Sequence, residues 1–306
     1  MGIINTGSFA KALWPGINAW FGDSYNEWPV EYKFLFDEEK SSRAYEEDVG
    51  ISGFGLAAEK SEGSGIIYDE ASQAFISRYI NKTYTLGFVI TQEMIEDNQY
   101  DISVIGKNQA KSLAFSMRQT KEILGANIYN RAFTGSGNPT YGDGQVLLSN
   151  AHPTKAGGTF SNIPTVAADL SEAALEQAVI DIAGFRDDRG LLIAALPEKL
   201  VIPYQLQFET KRILGADGRV GTDLNDPNVI KDMGIFSNVV TNHYLNDPDA
   251  WFILTNVKDG VKYFERRGDQ FEMDNDFDTE NAKYKATARY SFGWSDPRAI
   301  YGSPGA

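Results

Sequence analysis

The sequence contains no cysteine and only two histidines, His152 and His243, and both shortages exclude whole classes of chemistry. Without cysteine there can be no disulfide, thiolate metal site, iron–sulfur cluster or cysteine nucleophile. Two histidines are too few for a histidine-rich metal centre. We therefore expect no cofactor, and the stability of the chain must come from packing.

Long apolar runs and an excess of positive charge are also missing. The longest uninterrupted apolar stretch is Leu191–Leu196, far short of the about 20 residues that a membrane span needs. The N-terminal residues contain no apolar export core, so neither a membrane partner nor secretion is expected. Asp and Glu number 42 against 28 Lys and Arg, a net charge of −14. Such a surface repels phosphate and argues against a general nucleic-acid binder.

What is present begins with a concentration of aromatic residues. Nine of the first 36 residues are aromatic, and they include three of the five tryptophans, Trp14, Trp20 and Trp28. Two interpretations remain open: the segment covers its own core, or it is an extended arm whose rings anchor on another subunit. On the second interpretation these three tryptophans are candidate intersubunit contacts.

The next segment indicates a long β-hairpin. Five glycines lie between Gly50 and Gly65, and residues 66–91 are rich in β-branched and aromatic types on both faces. This pattern predicts a two-stranded hairpin with a flexible tip at Glu59–Gly63. Because an isolated two-stranded hairpin is marginally stable in water, we expect it to lie on a neighbouring molecule. Candidate contact residues in this segment are Phe54, Lys60, Tyr68 and Phe75.

A long helix follows. Apolar residues recur at an approximate 3.6 period from Ile102 to Phe133, which predicts a helix of about 30 residues. Its polar side is basic, with five Lys and Arg residues against Glu122 alone. These charges either pair with acidic segments of the same chain or face a neighbour or a packaged polyanion. The remaining residues alternate short helices and strands, so the class is α+β. Ser171, or Asp169 with Glu172, is expected to cap a helix there.

Motifs for catalysis or metal binding are weak. No Gly-x-Ser-x-Gly elbow occurs. Asp274, Asp276, Asp278 and Glu280 resemble the start of a calcium loop, but Thr279 and Lys285 stand where that loop needs Gly and Glu. A strand with one acidic face fits them better. Two rival functions remain: a carboxylate-pair hydrolase and a calcium-dependent binding module on residues 274–280. His152 is expected to have a structural hydrogen-bonding role.

Several stretches, in this order along the chain, resemble the major capsid proteins of tailed phages, and the last of them is similar to Mu-like major head subunits. They are Ile3–Gly16, Ser41–Asp48, Ser112–Glu122, Leu148–Pro153 and Leu196–Pro203. The resemblance implies the Hong Kong 97-type capsid fold and a structural protein that is not an enzyme. Residues 1–43 would be the N-terminal arm and 44–90 the extended hairpin called the E-loop. Residues 91–195 would be the peripheral domain with its spine helix at 101–134, and 196–306 the axial domain, part of which returns to the peripheral domain.

The resemblance also implies partners and a location. Copies of the chain would form the hexamers and pentamers of an icosahedral shell, which encloses double-stranded DNA without sequence-specific binding. A separate scaffolding protein, a portal and a decoration protein would be its other partners. The shell would be the capsid of the virion, assembled in the cytoplasm of the host bacterium.

Overall fold

The computed structural model describes residues 21–22, 24–91, 93–94, 102–135, 142–218, 227–275 and 281–306. The strands are β1 (Asp37–Lys40), β2 (Tyr45–Ser52), β3 (Ser72–Ile80), β4 (Lys82–Ile90), β5 (His152–Pro153), β6 (Thr159–Phe160), β7 (Pro197–Pro203), β8 (Asn238–Asn242), β9 (Trp251–Thr255), β10 (Val261–Asn275), β11 (Ala282–Trp294) and β12 (Ile300–Ser303). The helices are α1 (Ile102–Asn130), α2 (Glu172–Ala183), α3 (Gln207–Gly215) and α4 (Val229–Asp232).

The larger sheet has the strand order β1-β10-β11-β4 and packs against the long helix α1. β1 runs parallel to β10, whereas β10, β11 and β4 are antiparallel. Along β11 every second residue from Ala282 to Tyr290 is buried, the period of two that a strand with one covered face requires. Leu113 and Met117 of α1 belong to the same core cluster as Ala286 of β11.

The second sheet, with the order β12-β9-β7-β8, separates two cores. Consecutive residues of a strand point to opposite faces, and here both faces are apolar. Val201 and Phe252 belong to the core that contains α1. Leu200 and Ile253 belong to a second core that contains residues of α2, α3 and α4. Ser171 caps α2, as predicted, by accepting a hydrogen bond from the N–H of Ala174 at 3.2 Å.

The predicted hairpin is present, but it ends earlier than the sequence interpretation placed it. β2 and β3 pair antiparallel from Tyr45↔Ile80 to Ser52↔Ser72 and form a sheet of two strands. Residues 82–90, which were assigned to the hairpin, form β4 and pair with β11. The buried Asn81 marks the division: its amide donates to Ser41 Oγ at 2.7 Å, and its side-chain oxygen accepts from Ser291 Oγ at 3.1 Å.

The described part of the aromatic N-terminal segment packs into the core of its own chain. Tyr32, Leu35 and Phe36 are buried, and the carbonyl of Leu35 accepts a hydrogen bond from Tyr129 Oη at 2.7 Å. The carboxylate of Glu122 on α1 accepts the N–H groups of residues 31 and 32 at 3.0 and 2.8 Å. For Tyr32, Leu35 and Phe36 the structure therefore supports the core interpretation rather than the arm.

The long helix agrees with the prediction in length, 29 residues. Two of its basic residues lie in the interior of the subunit. Arg118 and Lys121 are buried inside the chain. Lys121 Nζ lies 2.7 Å from Asp269 Oδ2 of β10, so this charge pairs within its own subunit. Within the described ranges, no helix has the combination of length and apolar character that crossing a bilayer requires.

Candidate intersubunit surface

The outer face of the hairpin is apolar and exposed. Two cross-strand pairs carry it, Tyr45 with Ile80 and Val49 with Ile76. Between them lies one ion pair, in which Arg78 Nε donates to Glu47 Oε1 at 2.6 Å. Exposed apolar pairs on a two-stranded ribbon gain no burial in the isolated subunit, so this face is suited to cover, or be covered by, another surface.

The inner face of the hairpin is fastened to the body of the subunit. Tyr79 is fully buried, with its ring 4.7 Å from that of Phe264 in β10. Asp48 accepts a hydrogen bond from Ser295 Oγ at 2.6 Å and pairs with Lys262 Nζ at 2.8 Å. Burial alone would lower the pKa of Lys262, but hydrogen bonds to its carboxylate partners outweigh it and raise that pKa above the ordinary value. The lysine therefore stays charged and holds the hairpin at its base.

The loop that joins β2 to β3, residues 53–71, carries the most exposed apolar side chains of the hairpin. Tyr68 is 89% exposed, and the other members of this group are Phe54, Leu56, Ile66 and Ile67. The base of the loop is ordered by Asp69, whose Oδ2 accepts the N–H of Gly55 at 2.7 Å and contacts Arg189 Nη1 at 3.1 Å. The loop thus presents apolar side chains from a fixed base.

The structure places the predicted contact residues in three different surroundings. Phe54, Lys60 and Tyr68 are exposed on the hairpin loop, where an intersubunit contact is feasible. Phe75 is half-buried, with Lys155 Nζ 4.9 Å from its ring centre. Trp28 is 56% exposed and makes an edge contact with Phe115 of α1, with 6.2 Å between ring centres. Trp14 and Trp20 lie outside the described residues.

Sequence reasoning missed the outer face of β2 as a candidate surface. The period of two through Tyr45, Val49 and Ile51 is the signal for this face. The acidic residues around them predict a solvated segment, which conceals it. Other exposed apolar residues that the sequence analysis does not predict lie in or next to β7, β8, α3 and α4. They include Leu196, Tyr204, Phe208, Met233 and Val239.

The acidic and histidine side chains are the candidates for metal binding. Among the described residues, no group of three His, Asp or Glu side chains could hold a metal ion. His152 is buried and contacts Asp143 Oδ2 through Nδ1 at 2.6 Å, the structural hydrogen bond expected for it. Residues 276–280, most of the proposed calcium-binding segment, lie outside the described residues.

Comparison with protein families relates the chain to phage capsid proteins. A family model described as phage capsid protein matches residues 77–303, which covers the end of β3, the strands β4 to β12 and the helices α1 to α4. No curated protein sequence matches the chain significantly.

Solved structures share the fold at low sequence identity. A chain of Mycobacterium phage Patience is 10% identical, with a TM-score of 0.54 and coverage of 98% of this chain and 88% of that chain. A chain in the structure of the capsid of Myoviridae phage XM1 is also 10% identical, with a TM-score of 0.52 and coverage of 92% and 94%. A chain of Mycobacterium phage Bobi is 11% identical, with a TM-score of 0.51 and coverage of 90% of each chain.

Proposed function

The chain belongs to the phage capsid protein family, and on this premise we propose how it forms a shell. It is a structural major capsid protein with the Hong Kong 97-type fold. Each subunit lays the outer face and loop of its hairpin, residues 45–80, on a neighbour. Such head-to-tail contacts close into rings when the rotation between subunits is a whole fraction of a turn. The rings are hexamers and pentamers of an icosahedral shell that encloses double-stranded DNA.

The observation that carries this proposal is the contrast between the two faces of the hairpin. Tyr79 and Asp48 on the inner face are held by the body of the subunit, whereas Val49 and Ile76 on the outer face are exposed. A ribbon that is anchored on one side and apolar on the other is already oriented for a partner, so docking orders few additional residues and incurs a small entropic cost.

The two sheets support a division of the subunit into two domains. We assign α1 and the sheet β1-β10-β11-β4 to the peripheral domain, and the sheet β12-β9-β7-β8 with its helices to the axial domain. The pairing of β11 with β4 supports the return of residues 261–294 to the peripheral domain. The buried Tyr32, Leu35 and Phe36 support a core role for this part of the predicted arm.

We propose the remaining partners from the same capsid family. The net charge of −14 suits a container whose wall does not bind the enclosed DNA tightly. We assign no enzymatic activity to the subunit. A separate scaffolding protein, a portal and a decoration protein complete the assembly, which takes place in the cytoplasm of the host bacterium.

The experiment changes only the exposed side of the hairpin. The double variant Ile51→Lys with Ile76→Lys is expected to fold with an unchanged melting temperature but to lose assembly, because a neighbour would have to desolvate two charges. Negative-stain microscopy and size-exclusion chromatography measure this. The matched control is Val166→Lys with Ile180→Lys, two exposed apolar positions outside the hairpin, which should still form shells. Shells of normal yield from the hairpin variant would refute the proposal.

A further inference from the structure

A cavity of about 810 Å³ lies between the base of the hairpin and the body of the subunit. Its walls come from residues 47–53 of the hairpin, the β5 residue His152, the loop residues Asp187 and Asp188, and residues 295–298. The volume falls within the range that small-molecule sites occupy. No step of the proposed assembly uses this cavity.

Carboxylates dominate the lining of the cavity, and most of them pair with Arg78, Lys262, Arg298 or His152. Seven of its lining residues are Asp or Glu and only two, Lys258 and Arg298, are cationic. Several of these carboxylates have one oxygen engaged and the other open. Asp187 Oδ1 accepts the N–H groups of residues 189 and 191, and Asp188 Oδ1 pairs with Arg298. The second oxygens of Asp187 and Asp188 have no hydrogen-bond partner among the described residues.

An independent feature of the same cavity is the orphaned nitrogen of His152. The side chain is 2% exposed, its ring lies about 6 Å from those of Phe160 and Trp294, and its Nδ1 contacts Asp143 Oδ2 at 2.6 Å. Its Nε2 is buried and has no hydrogen-bond partner in the described part of the chain. A carboxylate on Nδ1 favours the tautomer with the proton there, which leaves Nε2 as an acceptor. A buried acceptor of this kind needs a donor.

We propose that this cavity binds a small organic cation with at least two ammonium groups on an aliphatic chain. No three acidic or histidine side chains of the described residues converge on one point, so a single metal ion has no ligand set there. Separated ammonium groups can instead donate hydrogen bonds to the open oxygens of Asp187 and Asp188 one at a time, and His152, a lining residue with an unpartnered Nε2, offers an acceptor for a further group. The methylene segments would lie on the apolar walls formed by Phe75 and Ile193.

The position of the site gives such binding a mechanical consequence. The hairpin supplies one wall, and the loops around His152 and Asp187 supply the opposite wall. A bound cation would contact the body through its ammonium groups and Phe75 of the hairpin through its methylene segment. It should therefore reduce hydrogen exchange of β3 near Phe75 without any change in the outer face.

The first test is calorimetric titration of the full chain with spermidine at an ionic strength of about 0.15 M. Asp187→Asn keeps the side-chain oxygen that caps residues 189 and 191 but removes the charge. It should weaken spermidine binding about tenfold, as expected for the loss of one hydrogen bond to a charged group. The matched control is Asp247→Asn, an exposed aspartate that caps the N–H of Asp249 away from this cavity. That variant should bind as the unchanged chain does.

A spectroscopic readout identifies the site directly, because the chain has only two histidines. With isotopically labelled histidine, spermidine should shift the ring-nitrogen resonances of His152 and leave those of the exposed His243 in place. Equal weakening by both aspartate variants, or no shift at His152, would overturn the proposal. So would Mg²⁺ at matched ionic strength producing the same shift, since the site would then accept any cation.

Discussion

Two antiparallel β-ribbons of this subunit have similar backbones, but they differ in how far other elements of the chain cover them. The ribbon β10–β11 is covered by α1 on one face and paired at both edges, by β1 and by β4. The hairpin β2–β3 has no third strand among the described residues, and its outer face is bare. In the first ribbon the apolar residues stabilise the fold, and in the second they are left for a partner.

The difference shows that strand propensity does not determine whether a ribbon contributes to folding or to assembly. Both ribbons contain Val, Tyr and Phe, which favour extended backbone. What separates them is whether another element of the same chain covers them. Tyr284 of β11 stacks on Phe88 of β4 with 4.8 Å between ring centres, whereas Ile51 of β2 is 73% exposed. Apolar burial therefore contributes to folding in one ribbon and is available for assembly in the other.

The most direct test of this difference is to truncate one apolar side chain in each ribbon. Tyr284→Ala should lower the free energy of unfolding by about 4 kcal/mol, because it leaves a cavity in a closed core. Ile51→Ala should change it by less than about 0.5 kcal/mol, since the side chain is exposed in the subunit. Denaturant unfolding of unassembled subunits measures both. Equal losses in the two variants would mean that the hairpin is part of the folding core.

Ion pairs offer a second comparison between the ribbons. Lys121 of α1 is buried against Asp269 of β10, and its Nζ lies 5.1 to 5.9 Å from the ring centres of three tyrosines. Asp269→Ala would leave that lysine charged and unpaired, so we expect a loss of about 3 kcal/mol in unfolding free energy. Glu47→Ala removes the partner of Arg78 on the exposed hairpin and should cost less than about 1 kcal/mol.

A double variant serves as the control for the buried pair. Lys121→Met with Asp269→Leu removes both charges and should recover most of the stability that Asp269→Ala loses. If Asp269→Ala alone is neutral in denaturant unfolding, the pair is not buried in solution and the contrast with the hairpin fails.

Local patterns in the sequence were sufficient to predict the elements that depend on near neighbours. The 3.6 period located α1 to within a few residues at its C-terminus, and Ser171 caps α2 as expected. The presence of a two-stranded hairpin also followed from composition and glycine placement. The same stretch contains the predicted contact residues Phe54, Lys60 and Tyr68, and all three are exposed in the loop of the hairpin.

Features that depend on distant partners escaped prediction. The division at Asn81 is set by Ser291, which lies 210 positions further along the chain. The surroundings of Lys121 are set by Asp269, 148 positions away. Periodicity assigns a side chain to a face, but it does not identify the element that will cover that face. For the same reason the sequence left open whether the N-terminal aromatic residues were core or arm.

The smallest effect concerns the loop of the hairpin. The N–H of Gly55 holds the pKa of Asp69 below its ordinary value of 3.8, with Arg189 contributing, although partial burial opposes this. Because the pKa of Asp69 is depressed in the folded state, the hydrogen bond from the Gly55 N–H to Asp69 is fully present above pH 3.8. It is lost as the pH falls through the lower, folded-state pKa. Hydrogen-exchange protection of the Gly55 amide should therefore be constant above about pH 5 and fall below about pH 4. Asp69→Ala, which removes the acceptor of the Gly55 N–H, should show low protection at neutral pH, whereas Asp247→Ala should match the unchanged chain. Protection that is independent of pH would show that the loop is held by other contacts, and the hairpin would then resemble the covered ribbon more closely than we infer.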